Sequence, residues 1–177
     1  MGDDAYSGVI GAVPYAFRQS RSTLFRSYVI LGGGLAAMLV VLFTFAVIGV
    51  VATTAGATGG TMTFVRSLFV LVGVLCIAPL LGPILFVARR HRRGRDTTSY
   101  DAGLALSGYG FAITLYLGAI ASMPRSFELD DEIVVRPEPS GITAPIVDAL
   151  YGFPEFLAWL IPLGGAIAIY VVHRQLR

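Results

Sequence analysis

The stretch "YVILGGGLAAMLVVLFTFAVIGVVA", residues 28–52, contains no charged side chain. At about 1.5 Å of helical rise per residue, it exceeds the roughly 30 Å hydrocarbon core of a bilayer. It therefore predicts a membrane-spanning helix. A secretory signal would have a basic start and an apolar run of only about 7 to 15 residues. Here a polar lead of 27 residues precedes a much longer run, so we interpret the stretch as a retained span.

Three further uncharged stretches follow, at residues 67–88, 102–123 and 156–172. The composition agrees with a membrane protein, because 14% of the residues are charged, against about 25% in an ordinary soluble domain. We predict an all-α fold, a bundle of four transmembrane helices. The single cysteine, Cys76, lies inside the second stretch, which excludes an intramolecular disulfide and a cysteine cage for zinc. We expect no metal and no cofactor.

The choice and placement of residue types form a recognisable combination. All 13 basic residues are arginine, the spans are rich in alanine, valine and glycine, and most acidic residues lie between the third and fourth spans. In this combination the chain resembles uncharacterised small multi-pass membrane proteins of halophilic archaea. The resemblance carries no functional motif. It implies only a location in the membrane of a cell without organelles.

The distribution of arginine predicts the orientation, because Lys and Arg in short loops are retained on the cytoplasmic side. Ten arginines lie in residues 1–27, 89–101 and 173–177, and three lie in residues 53–66 and 124–155. Carrying an arginine across would cost about 2.5 to 3.5 kcal/mol at the bilayer centre. We predict a cell-membrane protein with both termini in the cytoplasm.

Each polar segment has its own predicted character. Residues 1–27 should hold a short basic amphipathic helix in the headgroup layer, within the stretch "PYAFRQSRSTLFRSY". Residues 53–66 form a short outer loop. Residues 124–155 form an acidic outer loop with a brief strand, a proline turn and an interfacial helix that starts near Thr143.

The stretch "VARRHRRGRD", residues 87–96, concentrates the positive charge of the 89–101 loop. Its basic residues are Arg89, Arg90, Arg92, Arg93 and Arg95. We interpret them as an anchor for the topology and as contacts to anionic lipid headgroups, worth about 1 kcal/mol per basic residue near the surface. We expect no nucleic-acid binding, because a short loop between two spans has no room for a recognition element.

Small residues four positions apart predict close helix contacts, because helices in lipid associate mainly by packing. The pairs are Gly32 with Ala36, Gly103 with Ser107, Gly108 with Ala112, and Gly164 with Ala168. Such contacts could form within one chain or between two copies.

Two features inside or beside the spans are candidate functional sites. Pro79 and Pro83 should kink the second span and free backbone carbonyls, which could ligate an ion or substrate or could be satisfied by neighbouring side chains. Glu155 either lies below the headgroups and needs a partner or is an ordinary acid at a helix N-terminus.

The third span adds hydroxyl groups. The stretch "ALSGYG" around Ser107 resembles the Gly-x-Ser-Gly motif of rhomboid intramembrane proteases, but Ala105 replaces the first glycine and that family needs at least six spans. We interpret Ser107 as a helix-contact hydroxyl. With Thr114 and Tyr116 it could also form part of a polar lining.

We predict no catalytic residue and favour a non-catalytic accessory or scaffold protein, which would bind other membrane subunits or a second copy of itself. The alternative is a small oligomeric transporter or channel, with the Pro79 and Pro83 kink beside the hydroxyls of Ser107 and Tyr116. A third class is a membrane enzyme of unfamiliar type.

Overall fold

The computed structural model describes residues 8–56, 60–94, 97–129 and 132–177. Within these ranges the chain forms six α-helices, one two-stranded hairpin and one 3-10 turn. In order these are α1 (Gly8–Gln19), α2 (Thr23–Thr53), α3 (Gly60–Arg92), α4 (Thr98–Ala121), β1 (Ser126–Leu129), β2 (Glu132–Val135), α5 (Ala144–Tyr151), the turn Glu155–Leu157, and α6 (Leu160–Gln175). The predicted all-α class is confirmed.

Four of the helical segments are long and apolar enough to cross a membrane. They are Thr23–Thr53, Thr63–Arg92, Thr98–Ala121 and Glu155–Gln175. The chain is therefore a multi-pass membrane protein. Most of these helices continue past the uncharged stretches, and Arg89 to Arg92 belong to the last turn of α3. The reason is that hydrogen bonding and capping end a helix, whereas arginine is a good helix former.

The N-terminal segment differs from the single amphipathic helix of the sequence prediction. Ser22 interrupts it with an extended backbone, and its hydroxyl accepts a hydrogen bond from the Phe25 N–H. This N-cap starts α2 at Thr23, so the following residues belong to the first span. The separate helix α1 packs mainly against α3, with Ala12 and Ala16 fully buried.

Helices α2, α3 and α4 meet around the side chain of Tyr28. Tyr28 is fully buried, and its hydroxyl donates to the Leu80 carbonyl of α3 at 2.6 Å. Its ring lies against Gly108 of α4, where an added Cβ would overlap the ring. The predicted contact at Gly108 thus forms within the chain, because only glycine admits the ring at this distance.

Helix α6 packs along α4 through a second set of glycines. Gly118 faces Pro162, and Gly165 lies against Thr114 and the backbone of Phe111. The predicted contact residue Gly164 does not take part within the chain, because a Cβ built there meets no atom within 4 Å. The contact falls one residue later, since neighbouring helix positions differ by about 100° in direction.

The hairpin, α5 and the end of α4 form the opposite end of the bundle from the α3–α4 connection. Strands β1 and β2 pair antiparallel, with Phe127 opposite Val134. The Arg136 guanidinium lies 3.9 Å from the centre of the Tyr151 ring and donates to the Met123 carbonyl at 3.3 Å. Thus Arg136 connects the hairpin to α5 and to the α4 terminus. As predicted, a helix starts next to Thr143, with Ala144 as its first residue.

The α4–α6 contact yields a prediction with an adjacent control. Gly165→Ala should lower the free energy of unfolding by about 1 to 3 kcal/mol, because the new methyl group overpacks the Phe111 backbone. Gly164→Ala should be neutral or stabilising by up to about 1 kcal/mol, because it only improves helix propensity. Thermal unfolding of the two purified variants in one detergent measures the difference. Equal melting temperatures would contradict the packing described here.

Candidate functional site at the arginine-rich end of the bundle

The end of α3, the start of α4 and the end of α6 lie together at one end of the bundle. Residues that are adjacent in sequence on α3 and on α4 point to two different sides of this end of the bundle. On one side His91 and Asp101 meet the link between α1 and α2, and on the other Arg90 and Tyr100 meet α6. Two polar features result, which we call the polar junction and the arginine pocket.

The polar junction consists of Ser20, His91 and Asp101. The Ser20 hydroxyl donates to Asp101 Oδ2 at 2.6 Å, and His91 Nε2 lies 2.9 Å from the same oxygen. Asp101 is 1% exposed, and it sits in the first turn of α4, where the helix dipole favours a negative charge. The junction therefore joins the α1–α2 link to α3 and α4.

The order of the three side chains decides what the junction can do chemically. In a nucleophilic triad the imidazole stands between the hydroxyl and the carboxylate and takes the hydroxyl proton. Here the carboxylate stands in the middle, so His91 is not placed to activate Ser20. Arg26 Nε also donates to the Ser20 carbonyl at 2.9 Å, which holds the link against α2. The arrangement is that of a structural connection.

The arginine pocket is a cavity of about 240 Å³. It is lined by Phe86, Arg89, Arg90, Arg93, Tyr100, His173 and Arg177. The first four lie on one face of the α3 end, because they are three, four and seven residues apart. His173 lies in the last turn of α6, and Arg177 follows two residues after the end of that helix. Three separate segments thus supply one concave basic surface.

The inner wall of the arginine pocket is held by specific contacts. Arg90 donates to the Leu176 carbonyl at 3.0 Å and to Thr97 Oγ1 at 3.1 Å, and its guanidinium lies 4.0 Å from the centre of the Tyr100 ring. The Tyr100 hydroxyl is 2.6 Å from His173 Nδ1. The His173 ring is stacked on Phe86 with the centroids 4.1 Å apart. The wall is therefore preorganised.

The remaining arginines of the pocket are exposed. Across residues 8–56, 60–94, 97–129 and 132–177, no hydrogen bond or ion pair joins Arg89, Arg93 or Arg177 to another side chain or carbonyl of the chain. The lining includes no acidic residue among those same residues. These guanidinium groups are therefore free to meet an anion from outside the protein.

The structure divides the predicted arginine cluster. Arg89, Arg90 and Arg93 line the arginine pocket. Arg92 does not, and it lines a neighbouring groove beside Gly8 together with Arg89 and Arg93. Arg95 lies outside the described residues. The spacing along α3 explains why Arg92 is absent from the pocket, because its direction differs from that of Arg90 by two helical steps, about 200°.

The two prolines lie inside a single helix. α3 continues through Pro79 and Pro83, and Pro83 is fully buried. The carbonyl of the intervening Leu80 accepts the Tyr28 hydroxyl. The carbonyls that Pro79 and Pro83 leave without a helical donor are those of Leu75 and Pro79, four residues earlier, so this hydrogen bond does not decide between the two interpretations of the segment.

The other predicted site residues do not come together. The Ser107 hydroxyl donates to the Leu104 carbonyl of its own helix at 2.9 Å, and Thr114 does the same with Phe111 at 2.8 Å. Tyr116 is 68% exposed on the outer surface of α4. Glu155 is exposed at the start of the 3-10 turn, at the other end of the bundle from the arginine pocket.

Sequence reasoning did not find Asp101, Ser20, Tyr100 or His173 as members of a site. Asp101 directly precedes an uncharged stretch, so it reads as an ordinary acid at a helix N-terminus. One usable signal was the spacing of Phe86, Arg89 and Arg93 on a continued helix. The sequence prediction missed it because it placed the arginines in a loop.

The fold and this end of the bundle define an α-helical membrane protein with four candidate spans and a basic pocket. The whole chain, residues 1–177, matches the family described as "Domain of unknown function (DUF8056)", and the chain belongs to that family. No curated protein and no solved structure matches it.

The polar junction predicts a stability effect. Asp101→Ala should destabilise the protein by about 1 to 3 kcal/mol, because it leaves the buried Ser20 hydroxyl and His91 imidazole without this acceptor. Asp101→Asn, which keeps one acceptor oxygen, should lose less. The exposed Asp148→Ala is the control and should stay within about 0.5 kcal/mol of the parent protein. Thermal unfolding in detergent measures all three, and a loss at Asp148 as large as that at Asp101 would contradict the assignment.

Proposed function

We propose that this protein is a non-catalytic accessory or scaffold component of a membrane assembly, with other membrane subunits or a second copy of itself as partners. The observation that carries the proposal is the filled crossing of α2, α3 and α4. Tyr28 occupies it and is bonded to Leu80, and Phe25, Ile84 and Phe111 are buried with 1% exposure or less. A transport path between these helices would need this space.

The placement of the hydroxyl groups supports the same choice over the transporter alternative. Ser107 and Thr114 satisfy their hydrogen bonds within α4, and Tyr116 faces outward. A polar lining needs groups that converge on one path, with donors and acceptors directed into it. In this chain Ser107 and Thr114 share one face of α4 but donate to carbonyls of their own helix, and Tyr116 lies on the opposite face, so the three hydroxyls do not converge, which favours a packing role.

The outer parts of α2 and α3 supply a surface on which partner helices can pack. Large apolar side chains there are well exposed, among them Phe45 (67%), Phe64 (65%) and Leu75 (61%). Lipid covers such a surface in a monomer, and other spans replace lipid in an assembly, since association in the bilayer depends on packing.

We further propose that the arginine-rich end faces the cytoplasm and that the hairpin and α5 lie outside. The support is the count of ten arginines against three. An origin in a halophilic archaeon stays a prediction that rests on composition.

The orientation can be measured with single cysteines placed in a Cys76→Ala background. Ser140→Cys, in the exposed segment before α5, should react with a membrane-impermeant maleimide on intact cells. Gln175→Cys, at the exposed end of α6, should react only after the cells are opened. Labelling of Gln175→Cys on intact cells would overturn the proposed orientation.

The accessory role predicts association at native expression level. Crosslinking in the membrane followed by purification in mild detergent should recover a reproducible, near-stoichiometric membrane partner or a homo-oligomer. The same preparation without crosslinker, in a harsh detergent, is the control and should release the chain. Recovery of the crosslinked chain only as a monomer would contradict the proposal.

A further inference from the structure

We propose that the arginine pocket is a dedicated binding site for a phosphate group, carried by a lipid headgroup or supplied as free phosphate. The pocket comprises the seven residues defined above, at the ends of α3 and α6 and the start of α4. This inference does not depend on the accessory role, because it concerns one end of the chain by itself.

The arginine pocket holds more positive charge than the helix ends around it explain. Arginines at a helix C-terminus are commonly explained by the helix dipole, which places about half a negative charge at each such end. The ends of α3 and α6 therefore account for about one unit of positive charge. Arg89, Arg90, Arg93 and Arg177 bring four guanidinium groups to the cavity. Arg90 has partners within the chain. The side chains of Arg89, Arg93 and Arg177 have no hydrogen bond or ion pair among the described residues, so the dipoles leave most of the charge of these three uncompensated.

One wall of the arginine pocket is fixed before any anion binds. Arg90 is held by the Leu176 carbonyl, by Thr97 and by the Tyr100 ring, so its guanidinium does not need to be ordered when an anion arrives. The hydrogen-bonded Tyr100 and His173 form the adjoining wall. A generic cluster of surface arginines would have no such fixed member.

The size and chemistry of the cavity select the ligand class. At about 240 Å³ it lies below the roughly 300 to 1,000 Å³ of pockets that enclose a drug-sized molecule. A single phosphate group fits this scale and offers several oxygens with up to two negative charges. One guanidinium group can donate two hydrogen bonds to two oxygens of a phosphate, so a phosphate can bind several arginines. A carboxylate has only two oxygens and would bind about one arginine.

The end of the bundle also contains arginines that provide a matched control. Arg92 lines the groove beside Gly8, which also includes Arg89 and Arg93, and the Arg174 guanidinium lies 6.0 Å from the centre of the Tyr170 ring. Neither lines the arginine pocket. The pocket double variant is Arg93→Gln with Arg177→Gln. The control double variant, Arg92→Gln with Arg174→Gln, removes the same charge from the same two segments. General attraction to an anionic surface would fall equally in both double variants.

The experiment uses the full chain purified in a phosphate-free, uncharged detergent. One arm titrates inorganic phosphate by calorimetry. The second arm adds phosphatidic acid or phosphatidylcholine and counts bound lipids by native mass spectrometry. We expect saturable binding in at least one arm, with phosphatidic acid preferred over phosphatidylcholine. The pocket double variant should weaken binding at least about tenfold, since each arginine makes charge-assisted hydrogen bonds, and the control double variant by less than about threefold.

The outcomes separate the sources and test the site. Binding of inorganic phosphate identifies a free anion as a sufficient ligand, and binding of phosphatidic acid alone identifies a lipid headgroup; both support the site. Absence of binding by the parent protein in both arms overturns it, whatever the folding of the variants. Equal weakening of binding in the two double variants also overturns the proposed site, because overall charge alone would then explain the binding. Thermal unfolding without ligand shows that both double variants are folded.

Discussion

The hydrogen bond from the Tyr28 hydroxyl to the Leu80 carbonyl determines how closely the three central helices approach. A hydroxyl inside an apolar bundle has no water to bond, so its partner must come from the protein. Leu80 provides that partner, and Gly108 provides the space for the ring. α4 is thereby placed against both α2 and α3, and its other side is left to α6. Helix α1 packs against α3, and α6 packs against α4, so both lie against helices of this crossing.

The two polar features at the arginine-rich end depend on that placement. Arg90 and His91 are neighbours at the end of α3, and Tyr100 and Asp101 are neighbours at the start of α4. Consecutive side chains on a helix point in directions about 100° apart, so each pair supplies one residue to each feature. The buried junction stabilises the helix ends, and the open pocket uses those same ends as a scaffold for positive charge.

Helix boundaries show how far local sequence reasoning reaches. The four spans were predicted because lipid demands long uncharged runs, and this demand is visible in a single sequence. The helices that contain them extend several residues beyond the uncharged runs at some ends. Ser22 starts α2 before the uncharged run, and α3 continues through Arg89 and Arg92. A hydropathy pattern records where charge begins, whereas capping and hydrogen bonding decide where a helix stops.

By itself the sequence determined that the protein is α-helical, that it has four apolar helices of membrane-spanning length, and that one loop region concentrates arginine. Only the tertiary structure decided that Gly165 and not Gly164 meets α4, and that Asp101 is buried against His91 and Ser20. The physical reason is that apolar length and charge are properties of each segment. Contact depends on the rotation and axial position of one helix against another, and many registers of small residues satisfy the same spacing rule.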